Sequence, residues 1–288
     1  MQEFEGKVAV ITGGASGIGL ALARQAAAEG MRLVLADVEQ AALDAAAAEL
    51  RAGGAELLPL RADVSRLEDV EALAERAWAR FGGVHLLCNN AGVGSAVAGS
   101  VLAGTLANWQ WLLGVNLWGV IHGVHVFAPR LLEQNEPAHI VNTASIAGLI
   151  AGHLGIYTVS KHAVVALSET LHEELSRMDT MLQAHVLLPG PVATALTGAR
   201  RNRPAAIAHE PDERDIEIPG RREWLAGHST TIENGMDPAE VAEHTFAALR
   251  EGRFYIYTHP WQQSHMALIG QRCTDLLTAR NPHVHPYA

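Results

Sequence analysis

Lysine is nearly missing from this chain: Lys7 and Lys161 are the only two among 288 residues, and tyrosine occurs four times. Cysteine is as scarce. Cys88 and Cys273 lie far apart, with no CxxC pair, which excludes a disulfide scaffold, a dithiol redox centre and a cysteine zinc site. This usage fits a reducing, cytoplasmic setting. Positive charge is in deficit: 21 Lys and Arg stand against 31 Asp and Glu, a formal net charge of −10, and the one basic knot, ARRNRP (199–204), is followed closely by HEPDERD. Such a chain repels phosphate backbones, so no nucleic-acid partner is expected. Between Phe81 and Pro129 there is no Asp, Glu, Lys or Arg, and WLLGVNLWGVIHGVHVFAP (111–129) is long enough to cross a bilayer. Asn116, His122 and His125 interrupt it and no second span follows. It therefore reads as a helix buried in a sheet protein or a subunit interface, with no membrane partner. The N-terminus, MQEFEGKVAV, places acidic residues before its first apolar run, unlike a secretory signal.

What is present alternates. Short runs rich in Val, Ile and Leu, at 7–12, 32–36, 56–60, 84–88, 139–143, 183–188 and 253–257, read as strands. Helical spacing fills 17–29, 39–52, 66–80, 105–133, 157–177 and 238–250. The third helix carries a start signal, Ser65 with Glu68 three residues on. Strands that are apolar throughout belong to a parallel sheet covered on both faces, with right-handed crossovers. The expected fold class is α/β: a doubly wound, seven-stranded parallel sheet in a three-layer α/β/α sandwich, as one domain over 1–288. Residues 195–236 break the rhythm and read as an irregular insertion over one end of the sheet.

TGGASGIG (12–19) joins the first strand to the first helix. Gly13 allows the tight turn, Gly17 lets the backbone approach a pyrophosphate, and Gly19 lets the helix pack closely on the strand. Ser16 and Ile18 sit at the helix start, where free amides attract phosphate. The G-x-x-x-G-x-G spacing differs from the G-x-G-x-x-G of most dinucleotide folds. Asp37 ends the second strand, placed to accept both ribose hydroxyls of an adenosine and to repel a 2′-phosphate. No Lys or Arg follows it, so NAD is expected in preference to NADP, with Arg61 the one cation that would weaken the preference. Asp63 and Val64 reach towards the adenine. NNAG (89–92) ends the fourth strand, which brings Asn89, Ala91 and Gly92 close to the cofactor.

In YTVSK (157–161), Tyr157 and Lys161 stand four apart on one helical face. A free phenol titrates near pH 10, too high for a general base at neutrality. A nearby ammonium favours the phenolate, so the pair makes a proton-exchange device for an alcohol or ketone. Ser145, just past the fifth strand, belongs to the same carboxyl rim of the sheet, where its hydroxyl is able to hold a substrate oxygen.

TGGASGIG, NNAG, Asn116, Ser145, YTVSK and PGPVAT (189–194) together resemble the short-chain dehydrogenase/reductase family, over about residues 5–257 and in the family's order. The resemblance implies a Rossmann-type fold and a single dinucleotide-binding catalytic domain that interconverts a secondary alcohol and a ketone. By position it makes Tyr157 the catalytic acid/base and Ser145 the orienter of the substrate oxygen. Lys161 then holds the nicotinamide ribose and tunes Tyr157, and Asn116 anchors a water linking Lys161 to solvent. Pro189, Gly190, Val192 and Thr194 flank the cofactor, the last two gripping the carboxamide. It also implies a homotetramer or homodimer built through the helices at 105–133 and 157–177. Two other functions compete. A halohydrin dehalogenase would carry Arg in place of Lys161 and lose the glycine loop. A silent NAD-binding protein would lose Ser145, Tyr157 or Lys161. The intact set speaks against both.

Of the fifteen histidines, His122 and His125 have metal-like spacing but no carboxylate or cysteine beside them, so no metal is expected. Trp109, Trp111 and Trp118 read as helix packing, and Cys88 as an inert core thiol. GVGSA (92–96), GLIAGHLG (148–155) and the insertion would close a roomy hydrophobic pocket, with Gly94, Ser95, His153 and Leu196 touching substrate. The loops and length resemble a branch of the family acting on bulky secondary alcohols and ketones, aryl and lignin-derived ones included. Steroid, terpenoid and 3-oxoacyl-type substrates are the alternatives.

Overall fold

A computed structural model describes residues 3–94, 99–150, 152, 154–207, 211, 213–259 and 263–282. Seven strands form one sheet: β1 (Val8–Thr12), β2 (Arg32–Asp37), β3 (Leu57–Arg61), β4 (Leu86–Asn89), β5 (Ala138–Thr143), β6 (Leu182–Leu188) and β7 (Tyr255–Tyr257). Their order is β3-β2-β1-β4-β5-β6-β7 and every neighbouring pair is parallel, the Rossmann-type sheet expected. All five residues of β1 are buried, because both of its faces are covered. Ala9 and Ile11 pack on α1 (Gly17–Ala28), α2 (Gln40–Ala52) and α8 (Pro238–Glu251). Val8 and Val10 face α3 (Leu67–Phe81), α5 (Gly119–Gln134) and α6 (Ile156–Ser176). The chain steps outward from β1 to β3, then returns to the other side of β1 as β4. That reversal opens a crevice at the carboxyl ends of β1 and β4.

Four features differ from the sequence expectation. Ser65 does not cap α3: its amide and hydroxyl both donate to Asp63 Oδ1 (3.0 and 2.7 Å), and Asp69 Oδ2 accepts the Asp63 amide (2.9 Å). A carboxylate outcompetes a hydroxyl as acceptor there. The long apolar helix is α4 (Leu106–Leu113) and α5 joined by a π-helical turn, Gly114–Trp118, that the spacing did not reveal. It is long and apolar enough to span a membrane, yet half of it is buried and it packs on α3, β4 and β5, so it is a core helix. Gly123 is what lets it sit so close: a Cβ there would lie 2.0 Å from Asn89 Oδ1. The insertion is not irregular. It holds a 3₁₀ stretch, Ala195–Asn202, and a helix, α7 (Arg221–Glu233). A last helix, α9 (Gln263–Leu277), follows β7 and was not anticipated either.

β5 and β6 bury a histidine pair. His185 donates Nδ1–H to the Arg253 carbonyl (2.8 Å) and accepts Nδ1–H from His139 (2.8 Å). Burial holds both rings well below the ordinary histidine range, so the pair is neutral and structural.

Candidate active site

The crevice is a cleft of about 570 Å³ that runs from Asp37 past the glycine turn to Tyr157. Its floor depends on Thr12, the last residue of β1. Thr12 Oγ1 donates to the Cys88 carbonyl (3.2 Å) and accepts the amides of Asn90 (2.9 Å) and Ala91 (3.1 Å). One hydroxyl thus ties the glycine turn to the NNAG turn. Gly13 (φ +63°) has room for no side chain, since a Cβ would stand 2.9 Å from Ala91 Cα, and Gly17 (φ +51°) approaches the Thr194 methyl, 3.1 Å from its would-be Cβ. Ser16 precedes α1 in extended conformation and its side chain caps nothing, leaving the first amides of the helix to the cleft. These features fit a pyrophosphate. Gly19 lies behind the turn, not in the cleft: its Cβ would strike Gly13 O at 2.0 Å.

At the far end, Asp37 Oδ2 accepts the Ala15 amide (3.1 Å) and Oδ1 the Glu39 amide (3.0 Å), which fixes the carboxylate towards the cleft. Asp63 and Val64 line the same end. Arg61 is turned away and donates to the Val38 carbonyl (3.2 Å). The cation that does reach this corner is Arg201, from the insertion. It is held by Glu39 (Nη2–Oε1 2.8 Å), which also accepts from Asn202 Nδ2 (2.8 Å). Arg201 keeps the Glu39 carboxyl below its usual range.

The chemical end is buried. Ser145, Tyr157 and Lys161 expose 8%, 8% and 4% of their surface, and Asn116 none. Ser145 follows β5 and begins a short 3₁₀ turn; its Oγ accepts the Ala147 amide (3.2 Å) and donates to the Pro189 carbonyl (3.4 Å). The Tyr157 hydroxyl is hydrogen-bonded to Ser145. Lys161, one turn along α6, donates Nζ to the Thr143 carbonyl (2.8 Å) and stands 5.6 Å from the Tyr157 ring centre. Burial lowers Lys161 to about 8. It pushes Tyr157 up, and the Ser145 hydrogen bond pulls the other way. Burial and Ser145 are thus the two influences on the phenol in this geometry, with the Lys161 ammonium engaged by the Thr143 carbonyl beside it. Asn116 sits in the π turn, where Oδ1 accepts the Val93 amide (2.8 Å) and Nδ2 donates to Ser160 Oγ (3.2 Å). Gly92 keeps a gap open: a Cβ there would lie 3.5 Å from Asn116 Oδ1 and 3.8 Å from Lys161 Nζ.

A family model for short chain dehydrogenases matches residues 7–205. The chain belongs to the short-chain dehydrogenase/reductase family. It is 44% identical to a short-chain dehydrogenase/reductase from Burkholderia phymatum solved in complex with NAD, with a TM-score of 0.90 over 99% of both chains. It is 32% identical to the 1-deoxy-11-beta-hydroxypentalenate dehydrogenase of Streptomyces avermitilis, over 90% of this chain and 86% of that one. To the C alpha-dehydrogenase of Sphingobium sp. it is 31% identical, over 90% and 83%. This short-chain dehydrogenase is accordingly an NAD(P)-dependent oxidoreductase acting on CH–OH donors.

Several predicted residues fall elsewhere than expected. Asn89, the last residue of β4, points under the sheet rim and donates to Asn142 Oδ1 (2.9 Å); its neighbour Asn90 lines the cleft instead. Gly94 lies beneath Leu196, which would be 2.4 Å from its Cβ, so Leu196 forms the wall and Gly94 does not. Ser95 and His153 lie outside the described residues. Ile18, Ala91, Gly92, Pro189, Gly190, Val192 and Thr194 all line the cleft. Trp111 also lines it, beneath the Arg203 guanidinium (5.4 Å), whereas Trp118 is exposed. His122 hydrogen-bonds the Val64 carbonyl (2.9 Å), and burial pushes the Cys88 thiol up to about 12. No group of His, Cys, Asp or Glu among the described residues is arranged to hold a metal. Other pocket residues that sequence reasoning missed come from the two unforeseen helices: Trp224, His228 and Ile232 of α7, and His265 and Leu268 of α9.

Proposed function

We propose that this dehydrogenase uses NAD to interconvert a bulky, hydrophobic secondary alcohol, aryl carbinols included, and its ketone. The carrying observation is the cleft wall beyond Tyr157. Trp111, Leu154, Leu196, Trp224, Ile232 and Leu268 come from five separate segments and all line the cleft. Small alcohols would leave most of that apolar surface wet, whereas a ring system buries it, at roughly 25 cal/mol per Å².

A bound nicotinamide supplies the acceptor or donor for the hydride of the carbinol carbon. The chain's own residues handle the proton and the geometry. Ser145 and Tyr157 are placed to grip one substrate oxygen between them, Tyr157 taking the hydroxyl proton in oxidation and returning it in reduction. Lys161 supplies the buried positive charge beside that exchange. At the adenosine end, Asp37 supports NAD over NADP, and Glu39 strengthens the case by occupying Arg201.

Steady-state oxidation of a carbinol panel with each nucleotide is the test. Expected are a higher kcat/KM for aryl or polycyclic carbinols than for propan-2-ol, and a lower KM for NAD than for NADP. Faster turnover of the small alcohol would sink the substrate reading, and equal KM values the cofactor reading. We also infer a homo-oligomer joined through α4–α5 and α6, because Leu106, Trp118 and Val159 on these helices are exposed. Sedimentation equilibrium is expected to give a dimer or tetramer; a monomer at micromolar concentration would contradict it.

A further inference from the structure

The segment Pro189–Thr194 bridges the two halves of the cleft. Its near end meets the chemistry, since the Pro189 carbonyl accepts the Ile146 amide (3.0 Å) and the Ser145 hydroxyl (3.4 Å). Its far end meets the phosphate turn, where the Thr194 methyl faces Gly17. A dinucleotide stretched from the glycine turn to Tyr157 must run along this segment. What holds it is therefore of consequence, and one strut comes from a residue outside every motif considered so far.

His259 lies two residues beyond β7 and is 2% exposed. Its Nδ1 accepts the Gly190 amide (3.1 Å) and is also paired with the Thr258 hydroxyl (2.8 Å); its Nε2 faces the Pro191 carbonyl (3.1 Å). An amide can only donate and a carbonyl can only accept, so the partners fix the ring as the neutral Nε2–H form. Gly190 rests on the imidazole so closely that a Cβ would lie 2.9 Å from its Cγ. The Pro191 carbonyl also accepts the Met236 amide (3.0 Å), and Met236 returns its own carbonyl to the Ala193 amide (2.9 Å). His259 and the end of the insertion thus hold one backbone stretch from two sides.

We propose that His259 is a positioning residue for the nicotinamide half of the cofactor: it sets the backbone of Gly190 and Pro191, and through it where Val192 and Thr194 stand in the cleft. This rests on the reading of the site as a nicotinamide dinucleotide cleft that ends at Tyr157. The adenosine half would be held by Asp37, Asp63 and the glycine turn, whereas the imidazole is hydrogen-bonded to Gly190, Thr258 and Pro191. Loss of the ring is accordingly felt by ligands that carry a nicotinamide and not by ligands that stop at the second ribose.

The test is isothermal titration of NAD and of ADP-ribose into the unaltered protein, His259→Phe and His259→Asn. Phe removes the hydrogen bonds to Gly190, Thr258 and Pro191; Asn keeps an acceptor near the Nδ1 position and loses the donor to Pro191. The NAD Kd is expected to rise about tenfold in His259→Phe and less in His259→Asn, while the ADP-ribose Kd moves by less than about twofold in either. Equal weakening of both ligands would show general damage and overturn the proposal, as would unchanged NAD binding. Should the Phe variant fail to fold, the Asn variant reads the same contrast. Failure of the unaltered protein to bind either nucleotide would overturn the reading of the cleft itself, a result distinct from the other two.

Discussion

Tyr157→Phe is expected to lower kcat by about three orders of magnitude while NAD affinity stays within about twofold, the range for deleting a general acid/base. The substitution is clean. The ring packs in an apolar cluster with Trp111, Leu112, Ala147 and Ile156, and phenylalanine fills the same space. Ser145, its hydroxyl partner, keeps the Ala147 amide and the Pro189 carbonyl, so no buried polar group is stranded. What disappears is the only phenol lining the cleft among the described residues. Circular dichroism and nucleotide titration would show the fold and the cofactor cleft intact. A variant retaining more than about a tenth of wild-type kcat would remove Tyr157 from the chemistry.

Lys161→Met is expected to cost about a hundredfold in kcat and to raise KM for NAD, with the alkaline limb of alcohol oxidation displaced to higher pH. Methionine keeps the length of the side chain but leaves the Thr143 carbonyl without its 2.8 Å donor, a loss of about 1–3 kcal/mol for a buried acceptor. The pH effect has a definite sign. Burial already resists ionisation of Tyr157, and the Lys161 ammonium, itself lowered to about 8, is the cation beside it. Removing that charge makes the phenolate harder to form, so a higher pH is needed to reach it. Because the two groups titrate together, the limb belongs to the pair rather than to either residue. An unshifted limb in the variant would mean that Lys161 holds structure or ribose without tuning the proton.

Much of this was legible in the sequence, and the reasons can be traced residue by residue. β1 was legible because both faces are covered and its first four positions, Val8 to Ile11, are apolar. The glycine turn was legible because Gly13 and Gly17 adopt positive φ against neighbouring backbone or side chain, which only glycine tolerates at low cost. Tyr157 and Lys161 stood out because a helical repeat of four puts them side by side. What failed depended on direction or distance. Asn89 and Asn90 are adjacent letters in one motif, and the pleat of β4 turns the first away from the cleft and the second into it. Arg201 reaches Glu39 across 162 residues of sequence, a pairing no local pattern encodes. α7 and α9 are mostly exposed, α9 even at Met266, Leu276 and Leu277, so no buried apolar face announced them, and with them went Trp224, Ile232 and Leu268.

Steady-state kcat can be set by product release, so the chemical step itself is the sharpest target. Enzyme preloaded with NAD and mixed with a saturating secondary alcohol gives a single turnover, read by the absorbance of reduced nicotinamide. The account predicts a fast phase in the wild type whose rate climbs with pH and falls when the carbinol hydrogen is deuterium, and no such phase in Tyr157→Phe. A fast phase of wild-type rate in the phenylalanine variant would contradict it.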